Sequence, residues 1–195
     1  MPKPYTPNDR WSQLAAREGY RARSAYKLME LDERFRLIKP GMTIIDLGAA
    51  PGSWLQVAAE KIGSNGRVIG VDLQPIEHIT DNVTTIQHDI TDANGLAETI
   101  KKYDITQCDL ILSDLAPNTS GVKDVDQWRS IELSQAVIAI AEKLLKPKGV
   151  CVFKILRGAD FDAFLGELKR TWKNIKIVKV KASRDRSREV YVVIS

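Results

Sequence analysis

The chain has 195 residues, of which 44% are hydrophobic and 28% charged, with a formal net charge of +4. That is enough chain to bury the core of one domain, while no apolar run approaches the ~20 residues of a membrane span. The N-terminal MPKPYTPNDRW lacks the apolar core of a secretory signal. Cys108 and Cys151 lie in separate apolar segments. They point to buried free thiols in a reducing cytoplasm rather than to a disulfide or a metal site.

Charge is concentrated at the two ends. Residues 1–39 carry nine Lys/Arg against five Asp/Glu, net +4, and residues 169–189 carry nine against two, net +7. The remainder is acidic, net −7. An acidic centre between basic ends suggests a polyanion held by the termini, against the plainer reading of solvated charged faces.

Residues 1–10 hold three prolines and read as an irregular arm. Trp11 to Phe35 is helical in two pieces broken near Gly19. Ser24 is a candidate N-cap for the second, whose apolar face is Ala25, Leu28, Leu31 and Phe35. Arg17, Arg21, Arg23 and Lys27 cluster around the break, and Lys39-Pro40-Gly41 turns into the first strand.

Thr43 to Trp54, TIIDLGAAPGSW, passes from a β-branched run through small residues into a helical pattern with Leu55, Val57, Ala58 and Ile62. This is the opening unit of a nucleotide-binding α/β fold. Gly48 and Gly52 allow the backbone to bend and a ligand to approach. The spacing is not G-x-G-x-x-G, and no Gly-Lys-Ser/Thr follows, so the loop suits a ligand without a pyrophosphate, of which S-adenosylmethionine (SAM) is the common one. A generic strand–helix turn would look the same.

Gly63–Gly66 turns into a second strand, Arg67–Leu73, with Asp72 near its end, 20 positions beyond Gly52. An acidic residue there commonly grips a ribose diol, although Asp is also an ordinary turn residue. Val83–Gln87 is a third strand. Asp89 beyond it could accept from an adenine amino group or cap a helix. A helix over Asn94–Tyr103 precedes a buried fourth strand, Cys108–Ser113, ending at Asp114. A long helix, Asp126–Leu145, bears a stripe of Leu133, Val137, Ile140, Ala141 and Leu144. Pro147-Lys148-Gly149 turns into a fifth strand, Val150–Ile155, with Lys154 embedded in it. A helix over Phe161–Trp172 and strands Ile175–Val180 and Glu189–Ile194 complete the chain, the last two joined by KASRDRSR.

Alternating strands and helices predict an α/β fold with a mainly parallel seven-stranded sheet and helices on both faces. The short final connection allows an antiparallel hairpin at one edge. Ligands in such sheets sit beyond the carboxyl ends of the strands. Four residues fall there or beside it: Lys27, Asp114, Lys154 and Glu189. A lysine inside an apolar strand requires partners, whether for chemistry or as a structural ion pair with Asp114.

Six blocks, RSAYKL (23–28), DLGAAPGSW (46–54), VDL (71–73), SDLAPNTSG (113–121), VFKILRG (152–158) and SREVYVV (187–193), resemble in order those of the FtsJ/RrmJ family of ribosomal RNA ribose 2′-O-methyltransferases. The resemblance implies a Rossmann-like SAM-dependent methyltransferase fold over residues 1–195. Residues 1–39 would be a basic arm with helices and 40–195 the catalytic core. It carries a Lys-Asp-Lys-Glu catalytic tetrad onto Lys27, Asp114, Lys154 and Glu189, and SAM contacts onto Gly52, Trp54, Asp72, Asp89 and Asp114. Ser53 stands where the family commonly has Gly. The short C-terminus matches the compact bacterial form, whose substrate is a uridine in the A-loop of large-subunit rRNA.

The implied reaction is in-line methyl transfer to a ribose 2′-oxygen. Lys154 is the expected proton acceptor, a role needing a neutral amine, which burial and Lys27 favour and Asp114 opposes. A charged Lys154 steering an oxygen lone pair is the alternative. The expected cofactor is SAM, with no metal. The expected partner is RNA, not DNA or membrane, and the expected state is a cytoplasmic monomer. Arg17, Arg21, Arg23, Arg34 and Arg36, with Lys179, Lys181, Arg184, Arg186 and Arg188, are candidate phosphate contacts. A tRNA or cap methyltransferase, or a non-catalytic ribosome-assembly factor, would share many of these features.

Overall fold

The computed structural model describes residues 10–117, 120–183 and 187–195. Two helices come first, α1 (Arg10–Glu18) and α2 (Ala25–Phe35). Then follow β1 (Thr43–Leu47), α3 (Ser53–Ile62), β2 (Arg67–Asp72), β3 (Val83–Gln87), α4 (Ala93–Lys101) and β4 (Cys108–Ser113). The chain ends with α5 (Lys123–Leu144), β5 (Leu145–Leu156), α6 (Phe161–Thr171), β6 (Ile175–Val178) and β7 (Glu189–Ile194). The seven strands form one sheet in the order β3-β2-β1-β4-β5-β7-β6. Only β7 runs against its neighbours, pairing antiparallel with both β5 and β6. Strand order reverses between β1 and β4, which is where open α/β sheets leave a crevice for ligands.

Alternation along each strand divides the core between two faces. Ile44, Leu110, Leu112, Val152, Tyr191 and Val193 pack with α2 and α3. Ile45, Ile111, Phe153, Ile155 and Val192 pack with α4, α5 and α6. Both sides of the central strands are therefore apolar, the composition that parallel strands require.

The predicted elements form with local adjustments, among them a β6 that ends at Val178 rather than Val180. Ser24 precedes α2 but its hydroxyl makes no cap; it meets the Ser53 hydroxyl at 2.7 Å, tying α2 to α3. Asp92, not Asp89, caps α4, accepting from Gly95 N at 3.0 Å. Strand β5 starts at Leu145 rather than Val150. Cys108 pairs with Leu145 and Leu110 with Val150, so Pro147-Lys148-Gly149, expected as a turn, bulges out of the strand.

Helix α5 begins at Lys123 rather than Asp126, and the first half of its buried face is polar apart from Ile131: Asp126, Gln127, Ser130 and Ser134. These side chains have local work. Asp126 accepts from Ser120 N at 2.6 Å and Gly121 N at 3.2 Å, while Ser130 Oγ accepts from Leu156 N at 3.0 Å. A stripe built from apolar residues alone misses that half.

Ile69 lies fully buried in β2, away from the switch point. Ile69→Ala should cost about 2–5 kcal/mol through lost burial and a cavity, read as a lower urea midpoint. A loss under about 1 kcal/mol would contradict a close-packed core at this strand.

Candidate active site

Strand register assembles the site. Leu47 lies beside Ser113, Ser113 beside Phe153, and Lys154 opposite Tyr191. One residue further towards the carboxyl ends, Gly48, Asp114, Lys154 and Tyr191 fall in one row across β1, β4, β5 and β7. Lys154 shares the face of Val152, which is the side covered by α2, so Lys27 on α2 reaches the same point. Glu189 lies two residues from Tyr191 on the same face of β7.

The tetrad residues meet. Lys154 Nζ is 2.9 Å from Asp114 Oδ1, 4.0 Å from Glu189 Oε1, and donates to the Asp114 carbonyl at 2.5 Å. Lys27 Nζ is 3.4 Å from both Asp114 Oδ1 and Glu189 Oε2. Both ammonium groups are buried. Two cations between two carboxylates satisfy the requirement that buried charge be paired.

Burial pushes the Asp114 carboxyl upward. Lys154, Lys27 and the Tyr191 hydroxyl outweigh that push and hold it below the ordinary carboxylate range. Tyr191 donates to Asp114 Oδ1 at 2.5 Å, and burial, then Asp114, keeps its phenol protonated far above the usual value. Tyr191 is a site residue that the sequence reading did not pick out. Its signal was position i+2 from Glu189, on the same strand face.

The loop after β1 lies against this cluster. Gly48 (φ +77°) has no room for a side chain, since a Cβ there would stand 2.2 Å from Leu115 Cδ2. Gly52 (φ +106°) is closed off by Arg21 and Ile79. The close approaches at both glycines are thus made by the protein's own side chains. Trp54 is buried, donates to Ser24 O at 2.7 Å and packs on Tyr191 with ring centroids 6.0 Å apart. Ser53 is also buried, so its hydroxyl fits the loop. A small cavity of about 40 Å³ joins Asp46, Gly48, Ala49, Trp54 and Asp114.

Asp46, unremarked in the sequence, is buried on β1, and its Oδ2 has no hydrogen-bond partner. Burial, reinforced by Asp114 and Asp72, raises its pKa well above the ordinary value and so favours the neutral acid.

Asp72 lines a larger cavity of about 620 Å³ together with Arg21, Ala50, Pro51, Gln74 and Ile76. Its carboxylate accepts from Ala50 N and Gln74 N, both at 2.9 Å. Asp89 follows the neighbouring strand and is exposed. Its Oδ1 accepts from Thr91 N and Thr91 Oγ1, contacts that hold its carboxyl below the usual range.

Several basic candidates have structural partners. Arg21 donates to the carbonyls of Pro51, Glu77 and His78, which makes it a staple of the loop rather than a free phosphate contact. Arg34 pairs with Glu30 and reaches Lys179 O at 3.4 Å, and Lys181 N donates to Glu30 at 2.7 Å. The basic segments from the two ends of the chain therefore lie side by side. Arg17 and Arg36 are exposed, and Arg184 and Arg186 lie outside the described residues. Cys108 and Cys151 are buried free thiols, the former pushed up to about 12 by burial. Among the described residues no helix is long and apolar enough to cross a membrane, and no group of three or more His, Cys, Asp or Glu is placed to hold a metal.

This strand order with one antiparallel strand, and a charged cluster at the switch point, define the class: a Rossmann-like methyltransferase. Comparison with known proteins agrees. The model of the FtsJ-like methyltransferase family matches residues 20–195. A protein of Azoarcus sp. (strain BH72) named ribosomal RNA large subunit methyltransferase E is 47% identical over 186 residues, covering 95% of this chain and 90% of the relative. Proteins of the same name from Acinetobacter baumannii and Pseudomonas fluorescens (strain Pf0-1) are 44% and 41% identical over 95% of the chain, and 86% and 88% of the relatives. A crystal structure from Plasmodium falciparum described as a ribosomal RNA methyltransferase superposes with a TM-score of 0.80 at 31% identity, over 90% of this chain and 97% of that one. The chain belongs to the FtsJ-like methyltransferase family.

Asp46 makes a pH prediction. Between the ordinary carboxyl value and its raised native value, the folded chain binds a proton that the unfolded chain has released, so this group lowers stability as pH rises. Asp46→Asn removes the titration. Its melting temperature relative to wild type should therefore rise from pH 5 to pH 8, measured by calorimetry at constant ionic strength. A difference that does not change with pH would show Asp46 to be ionised in the fold.

Proposed function

We propose that this chain transfers the methyl group of SAM to a ribose 2′-oxygen of a uridine in large-subunit ribosomal RNA, on the assembled subunit. The observation that carries the reading is the convergence of Lys27, Asp114, Lys154 and Glu189 within 4.0 Å N···O contacts at the strand ends. The RNA substrate is supported by the names of the relatives that align over 95% of the chain.

The residues fit SAM. A cavity of about 620 Å³ lies within the range of small-molecule sites, roughly 300–1,000 Å³. Asp72 at the end of β2 is placed for ribose hydroxyls, and each of its oxygens retains a second lone pair beyond its backbone contact. Asp89 is offered to the adenine amino group. Trp54 lines the small cavity, and Gly52 lets the loop close against Arg21 and Ile76 of the larger one. The Asp114 carboxylate lies at the small cavity, where it suits a positively charged group of the amino-acid end, and the unpartnered Asp46 Oδ2 beside it offers a hydrogen bond. When bound, SAM supplies an electrophilic methyl group on a cationic sulfur.

The tetrad deals with the other reactant. A ribose hydroxyl is a poor nucleophile and must be aligned with the methyl carbon and lose its proton as attack proceeds. Lys154 is the proton acceptor; the ammonium that pairs with Asp114 has no lone pair, so it must first release its own proton to solvent. As a neutral amine it has two N–H bonds and one lone pair; with the N–H bonds directed at the carboxylate and carbonyl of Asp114, the lone pair remains for the substrate proton. Asp114, kept ionised, is the orienting group. Lys27, braced between Asp114 and Glu189, offers a cation to the developing negative oxygen.

Two measurements test this. Methyl-labelled SAM is incubated with large subunits lacking ribose methylation, with protein-free rRNA and with bulk tRNA, and the labelled nucleotide is mapped. A 2′-O-methyluridine on the subunit is expected; label chiefly on tRNA would overturn the substrate, and no label anywhere would overturn the reaction. Lys154→Ala should lower turnover by at least about 100-fold, the usual lower bound for general acid–base catalysis, while SAM binding by calorimetry persists. Near-normal turnover would remove Lys154 from the proton-accepting role.

A further inference from the structure

We infer that Trp128, with Val122 and Val125, is a stacking platform for an unpaired RNA base next to the nucleotide being methylated. The inference rests on the RNA-methyltransferase reading above and adds a substrate contact to it.

The first observation is exposure. Trp128 is 56% exposed, Val122 57% and Val125 39%. Among the described residues these are three of only six large exposed hydrophobics, and they fall within seven positions of one another. Val125 and Trp128 are three apart on α5 and so share one face. A contiguous exposed apolar patch at a helix start is a contact surface rather than scattered surface noise.

The second is position. The patch belongs to the segment that leads out of the catalytic strand end at Asp114. The Lys123 carbonyl accepts from Arg188 Nη2 at 3.4 Å, and Arg188 adjoins Glu189. Ser130 accepts from Leu156 N, and Leu156 is the register partner of Glu189. Trp128 lies about 7.5 Å of helical rise beyond Lys123, whose carbonyl Arg188 ties to the strand end that carries Glu189.

The third is rigidity. Asp126 and Gln127 before the indole and Ser130 after it are buried. Asp126 locks Ser120 and Gly121, and Gln127 covers Gly158 so closely that a Cβ there would be 2.2 Å from its Oε1. An aromatic held on a fixed frame binds without a large ordering cost.

The fourth is charge. Arg129 follows the indole, and Arg157 and Arg188 lie across the end of β5, with the Arg157 guanidinium 5.2 Å from the Phe161 ring centre. These cations suit phosphates on either side of a stacked nucleotide. Asp124 and Glu132, at i−4 and i+4 of Trp128, repel phosphate from the ring itself while accepting from base amino groups. An uncharged base face with its phosphates displaced to the arginines fits this pattern. Single-stranded RNA is held in this way, bases on aromatic rings and backbone on cations.

The test compares wild type, Trp128→Ala and Trp128→Phe in turnover on large subunits and in equilibrium binding to protein-free rRNA. Trp128→Ala should raise KM for subunits and Kd for protein-free rRNA about tenfold, the size of one base–aromatic stack, with kcat, SAM affinity and melting temperature near wild type. Trp128→Phe should recover most of the loss. Because stacking releases no counterions, the slope of log affinity against log salt should match wild type.

Wild-type KM in Trp128→Ala would overturn the platform. So would a defect confined to assembled subunits, which would place a ribosomal protein on the patch, or a Phe variant as poor as Ala with a lowered melting temperature, which would make the indole structural. Failure of wild type to label any RNA is a separate outcome and removes the parent reading instead.

Discussion

Asp114 is the residue on which the site depends. Its carboxylate sits in a region that disfavours charge, and it remains ionised because Lys154, Lys27 and Tyr191 surround it. The dependence is mutual. Neither lysine could be placed in these apolar surroundings without the two carboxylates, and removing one member of a buried pair leaves the other uncompensated, at a cost of several kcal/mol. Along the sequence Asp114 lies 87 residues from Lys27, 40 from Lys154 and 77 from Tyr191, yet a substitution at any one of them acts on all the rest. Single-residue replacements in such a cluster are therefore not additive.

Sheet geometry makes the cluster possible. Three parallel strands ending at one level deliver Gly48, Asp114 and Lys154 side by side, and the single reversed strand brings Glu189 and Tyr191 into the same end from the opposite direction. A seventh strand running parallel would present its amino end elsewhere. The antiparallel β7 is thus part of the site's construction as well as of the fold. Its pleat decides which members meet: Glu189 and Tyr191 face α2, whereas Val190 and Val192 face the α5 side.

Much of this was legible in the sequence because the signals were incongruities. Lys154 inside Val152, Phe153 and Ile155 could not be explained by burial alone, and Asp114 ended an apolar run at the expected level. Tyr191 was illegible for the opposite reason: a tyrosine in VYVV is an ordinary strand residue, and only the partner of its hydroxyl gives it a role. Asp46 read as part of a familiar loop motif, and its raised pKa follows from burial and from three-dimensional neighbours, Asp114 and Asp72, that lie far apart in the chain. The bulge at Lys146–Gly149 and the polar inner face of α5 escaped because turn residues and serines carry the same local signals in loops as in strands and helices. Ser24 illustrates the limit of capping rules. It stands where an N-cap should stand, and a tertiary partner, Ser53, takes its hydroxyl.

The charge pattern gains its meaning only in space. Basic residues at the two ends of the chain could have formed two separate surfaces. Instead Glu30 of α2 accepts from Lys181 N, Arg34 reaches the Lys179 carbonyl, and Lys176 lies 5.5 Å from the Phe35 ring. The same helix carries Lys27 into the site. The two basic segments therefore meet against α2, whose own charge is mixed, with Lys27 and Arg34 against Glu30, Asp32 and Glu33, while Arg157 and Arg188 lie beside Glu189 at the β5–β7 end. A polyanion lying across both would cross the carboxyl ends of the strands between them. On that path long-range attraction, which carries no sequence information, would be separated from the stacking contact, which acts only on an unpaired base. Under the stacking proposal, such a division of labour would place selection of an unpaired nucleotide beside the reacting ribose, with affinity distributed over the basic segments from the two ends of the chain.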